Sequence, residues 1–216
     1  MLWKKKHLKT GLLYVILDKE VIDKNRLNIF TLADRLAKAG VDILQFRFKN
    51  IVDRVALDIA QRLSKIIHKK GKIFIINDRV DIAYIAKADG VHLGRDDVDT
   101  KTAKSILGKN KFIGKTAHTK KELLTFAKED VDYLSIGAVF KTKTKPKSKP
   151  LGVKFIKAVT PLADKPLFAI GGINLRNVSY LFKIDIKNIA VCRGVILSKN
   201  IPKTVSEFKR CLKEVS

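Results

Sequence analysis

Residues 71–78, GKIFIIND, decide the fold class of this chain. The glycine is typical of a helix end, and apolar residues at positions 52, 55, 59, 63 and 66 form a helical stripe that leads up to it. Residues 73–76 are apolar at every position, which indicates a strand buried on both faces of a parallel sheet. Asn77 and Asp78 then place polar groups at the carboxyl end of that strand. The segment therefore predicts a helix, a buried strand and a polar strand end in immediate succession.

The same alternation recurs along the whole chain. Strands are predicted at residues 11–17, 41–46, 72–76, 90–93, 112–114, 133–136, 167–170 and 188–191. Helices are predicted at 27–39, 52–66, 80–86, 100–107, after a capping box at Thr119 to Glu122, at 152–159 and 175–182, and in a last segment that buries Val205, Phe208, Leu212 and Val215. Eight βα units in order predict an α/β protein with one domain, a (β/α)8 TIM barrel over residues 1–216. A doubly wound open sheet remains the alternative, because periodicity alone does not exclude it.

The composition of the chain limits the classes of function that it can have. The 216 residues suit one barrel domain, and 45 Lys and Arg against 21 Asp and Glu give a formal charge of +24. The lysines are spread along the chain without a basic arm interleaved with aromatic residues, so we predict a surface that attracts anionic substrates and no nucleic-acid partner. A basic, non-enzymatic barrel that binds nucleic acid is kept as an alternative. No apolar run approaches the length of about 18 to 20 residues that spans a membrane, and we expect a cytoplasmic protein.

The polar residues that follow strand 2 predict an anion receptor. Active sites of such barrels lie at the carboxyl ends of the strands. Gln45, Arg47 and Lys49 alternate onto one side of an extended chain there. An amide, a guanidinium fork and an ammonium therefore converge, which favours binding of a polyphosphate.

Two aspartates at neighbouring strand ends are candidate magnesium ligands. Asp78 follows strand 3 and Asp97 follows strand 4, and neighbouring strands are only about 5 Å apart. One or two carboxylates together with substrate phosphate oxygens are the usual ligands of Mg2+. The alternative is that Asp96, Asp97 or Asp99 merely caps the helix that begins at Thr100.

Further polar residues follow strands 5, 7 and 8. His118 is a candidate acid or base, with a structural role as the alternative. Gly171 and Gly172, and the turn 192–194, lie where barrels often bind phosphate through backbone N–H groups. Residues 141–150, KTKTKPKSKP, lack apolar side chains and predict a loop that is either a lid over the site or plain solvated chain.

These motifs together resemble the thiamine-phosphate synthase family from residue 14 to residue 196. The motifs are Gln45-x-Arg47-x-Lys49, Ile76-Asn77-Asp78, residues 88–94 (ADGVHLG) with Asp97, Thr142-x-Thr144-Lys145, and Ile170-Gly171-Gly172-Ile173. Each motif is modest by itself, but their order and spacing are specific.

The resemblance implies a Mg2+-dependent transferase of thiamine biosynthesis that joins an aminopyrimidine methyl pyrophosphate to a thiazole ethyl phosphate. The products are thiamine monophosphate and pyrophosphate, and the path is dissociative. It implies Asp78 and Asp97 as metal ligands; Gln45, Arg47, Lys49, Asn77 and Lys145 as pyrimidine-pyrophosphate contacts; Thr116 in place of the family's usual serine; and Thr142, Thr144, Gly171, Gly172, Cys192 and Arg193 at the thiazole-phosphate end. Arg47, Lys49, Lys145 and Thr116 are the implied catalytic residues. It also implies a homodimer.

The sequence departs from the family pattern at three places. Gly137-Ala138 stands where the family often has Gly-Pro, Lys141 replaces a common proline, and Cys192-Arg193 replaces a common apolar-Ser pair. A related thiazole tautomerase of the same fold is the nearest alternative. That branch tends to lose the Gln-x-Arg-x-Lys set and has a histidine at the position of Ala138, so the sequence favours the synthase.

Overall fold

The chain folds into a closed barrel of eight parallel strands, which confirms the predicted fold. The structure is a computed structural model that describes residue 8 and residues 10–144 and 149–213. Strand β1 pairs with both β2 and β8, so the sheet has no edge and the doubly wound alternative is wrong. The strands of this described part are β1 Leu13–Asp18, β2 Ile43–Arg47, β3 Ile73–Asn77, β4 Gly90–Leu93, β5 Phe112–Ala117, β6 Tyr133–Gly137, β7 Leu167–Ile170 and β8 Asn188–Val191.

Helices follow the strands and surround the barrel. They are α1 Lys19–Lys24, α2 Ile29–Lys38, α3 Asp53–His68, α4 Val80–Ile85, α5 Thr100–Leu107, α6 Lys120–Ala127, α7 Gly152–Val159, α8 Ser179–Phe182, α9 Arg193–Ile196 and α10 Ile201–Lys213, with a 3-10 turn at Thr160–Leu162. In the described residues, no helix is both long enough and apolar enough to cross a bilayer. The predicted burial of Val215 concerns a residue outside the described ranges.

Three local predictions differ from the structure. Helices α1 and α9 were not predicted; α1 forms because Asp18 caps it, accepting a hydrogen bond from the Val21 N–H. The helix predicted at 175–182 is confined to α8, because Asn174 and Asn177 hold the preceding residues in a turn through side-chain bonds to the backbone. Strand β5 extends three residues beyond its predicted end, since Thr116 pairs in register with Ser135.

Two apolar cores position the site. The larger core lies between the outer face of the strands and the helices. The smaller core fills the lower half of the barrel interior and consists of Leu8, Tyr14, Ile16, Ile43, Ile75, Phe112, Tyr133, Phe168 and Ala190. Polar side chains join the interior nearer the carboxyl ends of the strands, among them Gln45, Asn77 and Thr116. The smaller core therefore closes the barrel from below and leaves above it a cavity that both polar and apolar side chains line.

Candidate active site

A cavity of 390 Å³ opens at the carboxyl ends of the strands, where the sequence predicted the site. Most of the predicted residues line it: Gln45, Arg47, Asn77, Thr116, Thr142, Thr144, Gly171, Gly172, Cys192 and Arg193. Lys49, Asp78 and Asp97 are not part of this lining and form a cluster of their own. Lys145 lies outside the described residues.

Arg47 is held in the cavity by a buried carboxylate that the sequence reasoning missed. Its Nη1 donates to Asp18 Oδ2 at 2.5 Å, and Asp18 is only 1% exposed. Register in the sheet pairs these two residues at the ends of β1 and β2. The pair orients the guanidinium and leaves its remaining N–H groups for an anion. The signal in the sequence was available, because Asp18 is the first charged residue after an apolar strand.

Lys49, Asp78 and Asp97 form a charged cluster beside the cavity. Lys49 Nζ donates to Asp78 Oδ2 at 2.5 Å, and the Gly94 N–H donates to Asp97 Oδ2 at 2.6 Å. Burial raises the pKa of Asp97, and the neighbouring Asp78 carboxyl raises that pKa further. The ends of β3 and β4 thus bring two carboxylates together, as the strand order predicted.

The alternative role for Asp97 as a helix cap is wrong. Asp99 is the N-cap of α5, since its Oδ1 accepts from the Thr102 N–H at 2.9 Å. Asp97 instead holds the turn after β4 through Gly94.

The paired aspartates fit Mg2+. Both offer oxygen ligands, and their close approach carries the repulsion that a divalent cation relieves. Within the described ranges, no group of three or more histidine, cysteine, aspartate or glutamate side chains is arranged to hold a metal. A site built on two carboxylates leaves the other coordination positions to water and substrate phosphate, which is how Mg2+ is commonly held.

His118 has contacts typical of a structural residue. Its Nδ1 donates to the Gly137 carbonyl at 2.5 Å, and its backbone N–H donates to Glu122 Oε2 at 2.6 Å. Thr119 caps α6 as predicted, but Glu122 returns to the N–H of His118 and not to that of Thr119. The capping box therefore anchors the histidine next to the end of β6.

The opposite end of the cavity is built from backbone. Gly171 and Gly172 have φ values of 100° and 70°, in the left-handed region. A Cβ on Gly172 would lie 2.6 Å from the Lys141 carbonyl, and one on Gly171 would lie 2.5 Å from Ala138 Cα. Both glycines are therefore required by the close packing of the loop after β6, in addition to any approach of a phosphate.

The turn after β8 adds a cationic side chain and the start of α9. Arg193 is the first residue of that short helix, and the N–H groups of a first helical turn lack partners within the helix. Burial raises the pKa of the Cys192 thiol to about 12, and the charge of Asp18 acts in the same direction. Burial therefore favours the neutral thiol of Cys192 in the wall of the cavity. Lys141 and Lys143 also line this end and were not predicted individually.

A hydrogen-bonded set of polar side chains forms the floor of the cavity. The Gln45 Nε2 donates to the Tyr14 hydroxyl at 2.8 Å, and the Tyr14 and Tyr133 hydroxyls are 3.2 Å apart. His92 Nδ1 lies 3.0 Å from the Tyr133 hydroxyl, and His92 Nε2 lies 2.6 Å from Thr116 Oγ1. Thr116 is thus held within the floor, at the position where the sequence predicted a hydroxyl.

Comparison with known proteins places these features in a family. The family model described as thiamine monophosphate synthase matches residues 13–195. Thiamine-phosphate synthase of Prochlorococcus marinus subsp. pastoris is 39% identical over 206 residues, which is 92% of this chain and 58% of that protein. The chain thus spans little more than half the length of that relative.

Two further matches extend over nearly the whole of both partners. Thiamine-phosphate synthase of Persephonella marina is 34% identical over 200 residues, which is 93% of this chain and 95% of that protein. The solved structure of thiamine phosphate pyrophosphorylase from Pyrococcus furiosus superposes with a TM-score of 0.84 at 29% identity, covering 94% of this chain and 96% of that one.

Proposed function

The chain belongs to the thiamine monophosphate synthase family, and from that premise we propose that it is a transferase of thiamine biosynthesis that forms thiamine monophosphate. In this reaction an aminopyrimidine methyl pyrophosphate loses pyrophosphate, and the nitrogen of a thiazole ethyl phosphate bonds to the pyrimidine methylene carbon. The observation that carries the proposal is the placement of Arg47 in the cavity next to the Lys49, Asp78 and Asp97 cluster.

The chemical demand of the reaction falls on the leaving group. In a dissociative path, negative charge accumulates on the departing pyrophosphate while positive charge develops on the pyrimidine methylene carbon. Arg47 binds the pyrophosphate with the N–H groups that Asp18 does not use, and Lys49 adds a point charge. We assign Asn77 and Lys145 to the same substrate by family resemblance.

We further propose that Asp78 and Asp97 hold Mg2+ at this end. Bound there, Mg2+ would neutralise charge on the pyrophosphate oxygens and so make pyrophosphate a better leaving group. Asp78 has a φ of 64°, a left-handed conformation that aspartate tolerates better than most residues. The backbone at the end of β3 therefore presents the Asp78 carboxylate to Lys49 and to the metal position.

We propose that the end of the cavity at strands β7 and β8 binds the thiazole phosphate. Thr142, Thr144 and the two glycines line that part of the cavity, together with Cys192 and Arg193. The Thr144 N–H donates to Thr142 Oγ1 at 3.2 Å, which keeps the two residues in one turn over the cavity. Arg193 supplies a charge where the resemblance implies a serine hydroxyl.

The tautomerase alternative receives no support from the site. Ala138 lines the cavity and packs against Gly171, so a side chain without acid-base capacity stands where that branch has histidine. A homodimer and a cytoplasmic location, both expected from the sequence, stay predictions; light scattering on the purified chain tests the first of them.

Turnover of both purified substrates tests the proposed function. We expect thiamine monophosphate and pyrophosphate to form in the presence of Mg2+ and to stop forming in excess EDTA, with recovery when Mg2+ is restored. Product formation that continues unchanged in EDTA would remove the metal from the proposal. Absence of product under all conditions would remove the assignment itself.

A further inference from the structure

We propose that Tyr14, Tyr133 and His92 act as positioning residues, forming a directed hydrogen-bond relay that fixes which polar atoms of Gln45 and Thr116 face the aminopyrimidine. The identity of the ligand rests on the proposed function, whereas the relay rests on the contacts alone. Gln45, His92 and Thr116 line the cavity. Tyr14 and Tyr133 lie below it, each no more than 2% exposed, and reach the cavity only through the other three.

We assign the relay the direction that starts from its fixed donor, the Gln45 amide, because the distances alone leave the donor open in the other pairs. Gln45 Nε2 donates to the Tyr14 oxygen, so the proton of Tyr14 is free to go to Tyr133. The Tyr133 proton then goes to His92 Nδ1, which makes the neutral imidazole carry its own proton on Nε2. That Nε2–H donates to Thr116 Oγ1 at 2.6 Å, and Ser135 Oγ is a more distant second partner at 3.5 Å.

The two ends of the relay therefore present opposite polarities to the cavity. Because its nitrogen is turned to Tyr14, Gln45 has its amide oxygen available as an acceptor. Because it accepts from His92, Thr116 has its hydroxyl proton available as a donor, and Ser135 Oγ at 2.8 Å takes that proton when no ligand is present. An aminopyrimidine carries the complement: an exocyclic amine that donates and ring nitrogens that accept.

The barrel is shaped to accommodate the relay. Gly114 on β5 lies beside the Tyr133 ring, and a Cβ at that position would lie 2.0 Å from Tyr133 Cζ and 2.4 Å from its hydroxyl oxygen. The phenol therefore occupies the space of a missing side chain and crosses the barrel to reach Tyr14 and His92. Burial raises the pKa of both tyrosines, so both hydroxyls keep their protons at physiological pH.

Tyr133→Phe and Tyr14→Phe test the relay by removing one hydroxyl each without touching substrate. Because each variant removes one hydrogen bond behind Gln45 and Thr116, we expect the KM for the aminopyrimidine pyrophosphate to rise about three- to tenfold. We expect the KM for the thiazole phosphate to stay within about twofold. Phe168→Leu is the matched control, because Phe168 packs edge-on against both tyrosines, with centroids 5.6 and 5.4 Å away, and carries no polar atom. It should lower the Tm and leave both KM values unchanged.

An equal rise of both KM values in the tyrosine variants, or the same selective rise in Phe168→Leu, would overturn the relay in favour of a packing effect.

A measurement on the wild-type protein tests the relay independently of activity. Long-range 1H–15N NMR, with His92→Asn used to assign the signals, should show His92 neutral with its proton on Nε2. A proton on Nδ1 would overturn the proposed direction even in an active enzyme. An inactive wild type with the Nε2 tautomer would instead count against the proposed function and leave the relay standing.

Discussion

The two ends of the cavity differ in how we propose that they bind anions. At the ends of strands β2 to β4, the proposed anion-binding groups are side chains, and each cation is paired with a carboxylate: Arg47 with Asp18 and Lys49 with Asp78. At strands β7 and β8, the shape of the site depends on glycine backbone and on the first turn of a short helix. The first end depends on residue type and the second on backbone conformation. A turn that depends on backbone conformation is compatible with Cys192 and Arg193, where the resemblance implies an apolar-Ser pair.

Removal of Asp78, a proposed metal ligand, should have the largest effect. Asp78→Ala is expected to lower turnover about a thousandfold, the scale seen when a group that stabilises transition-state charge is lost. His118→Ala should lower turnover less than about tenfold, because His118 donates to a carbonyl and anchors a loop. Product formation at saturating substrate measures both variants, and Asp78→Asn repeats the test with a residue that tolerates the φ of 64°. Comparable losses in Asp78 and His118 variants would show that the role of His118 has been misjudged.

Arg47→Met should destabilise the fold far more than Lys49→Met. The first change leaves the Asp18 carboxylate, which is 1% exposed, without its guanidinium, and such a loss costs about 3–5 kcal/mol. The second breaks a pair whose lysine is 50% exposed, which costs less than about 1 kcal/mol. Urea unfolding gives both free energies. Equal values would mean that Asp18 does not depend on Arg47.

The substitution Gly172→Ala tests the end of the cavity at strands β7 and β8, where glycine backbone shapes the site. We expect a loss of about 2–4 kcal/mol, because the left-handed φ costs about 1–2 kcal/mol and contact with the Lys141 carbonyl adds to it. Gly71→Ala is the matched control, since its φ is 64° but no atom lies within 4 Å of the added Cβ. Gly71→Ala should lose only the part of the free energy of unfolding that comes from the left-handed φ, about 1–2 kcal/mol. The KM for the thiazole phosphate should rise in Gly172→Ala alone, and a rise confined to the pyrimidine substrate would contradict the assignment of the two ends.

Arg193→Ala should have the smallest effect. Loss of a partly exposed charge near a phosphate is expected to raise the KM for the thiazole phosphate about three- to tenfold, with the difference from wild type shrinking at high salt. Arg193→Ser restores the hydroxyl that the resemblance implies and should recover part of the loss. Steady-state kinetics at two ionic strengths measure both. An unchanged KM in Arg193→Ala would assign this end to backbone N–H groups alone.

Much of the fold, and much of the cavity end at strands β2 to β4, could be predicted from the sequence because local residue patterns specify them. Apolar runs at residues 73–76 and 167–170 and glycines at helix ends predict strands and helices, and their order predicts the barrel. Alternation along one strand likewise predicts that Gln45 and Arg47 share a side, and both line the cavity. The sequence prediction was wrong where side-chain hydrogen bonds to the backbone override hydrophobic periodicity. Asn174 and Asn177 hold the chain in a turn, so only α8 remains of the helix predicted at 175–182.

The sequence by itself determined eight βα units with polar strand ends, because hydrophobic periodicity and residue type act over a few neighbouring residues. The pairing of β1 with β8 decided that the sheet closes into a barrel. Only the tertiary structure decided that Asp18 holds Arg47, that Asp99 and not Asp97 caps α5, and that Gly114 leaves room for the Tyr133 phenol. These contacts join residues on different strands, and the distances between their side chains depend on register and barrel closure. A local pattern can place a charged residue such as Asp18 at a strand end, but it does not give the distance from that residue to a side chain on another strand.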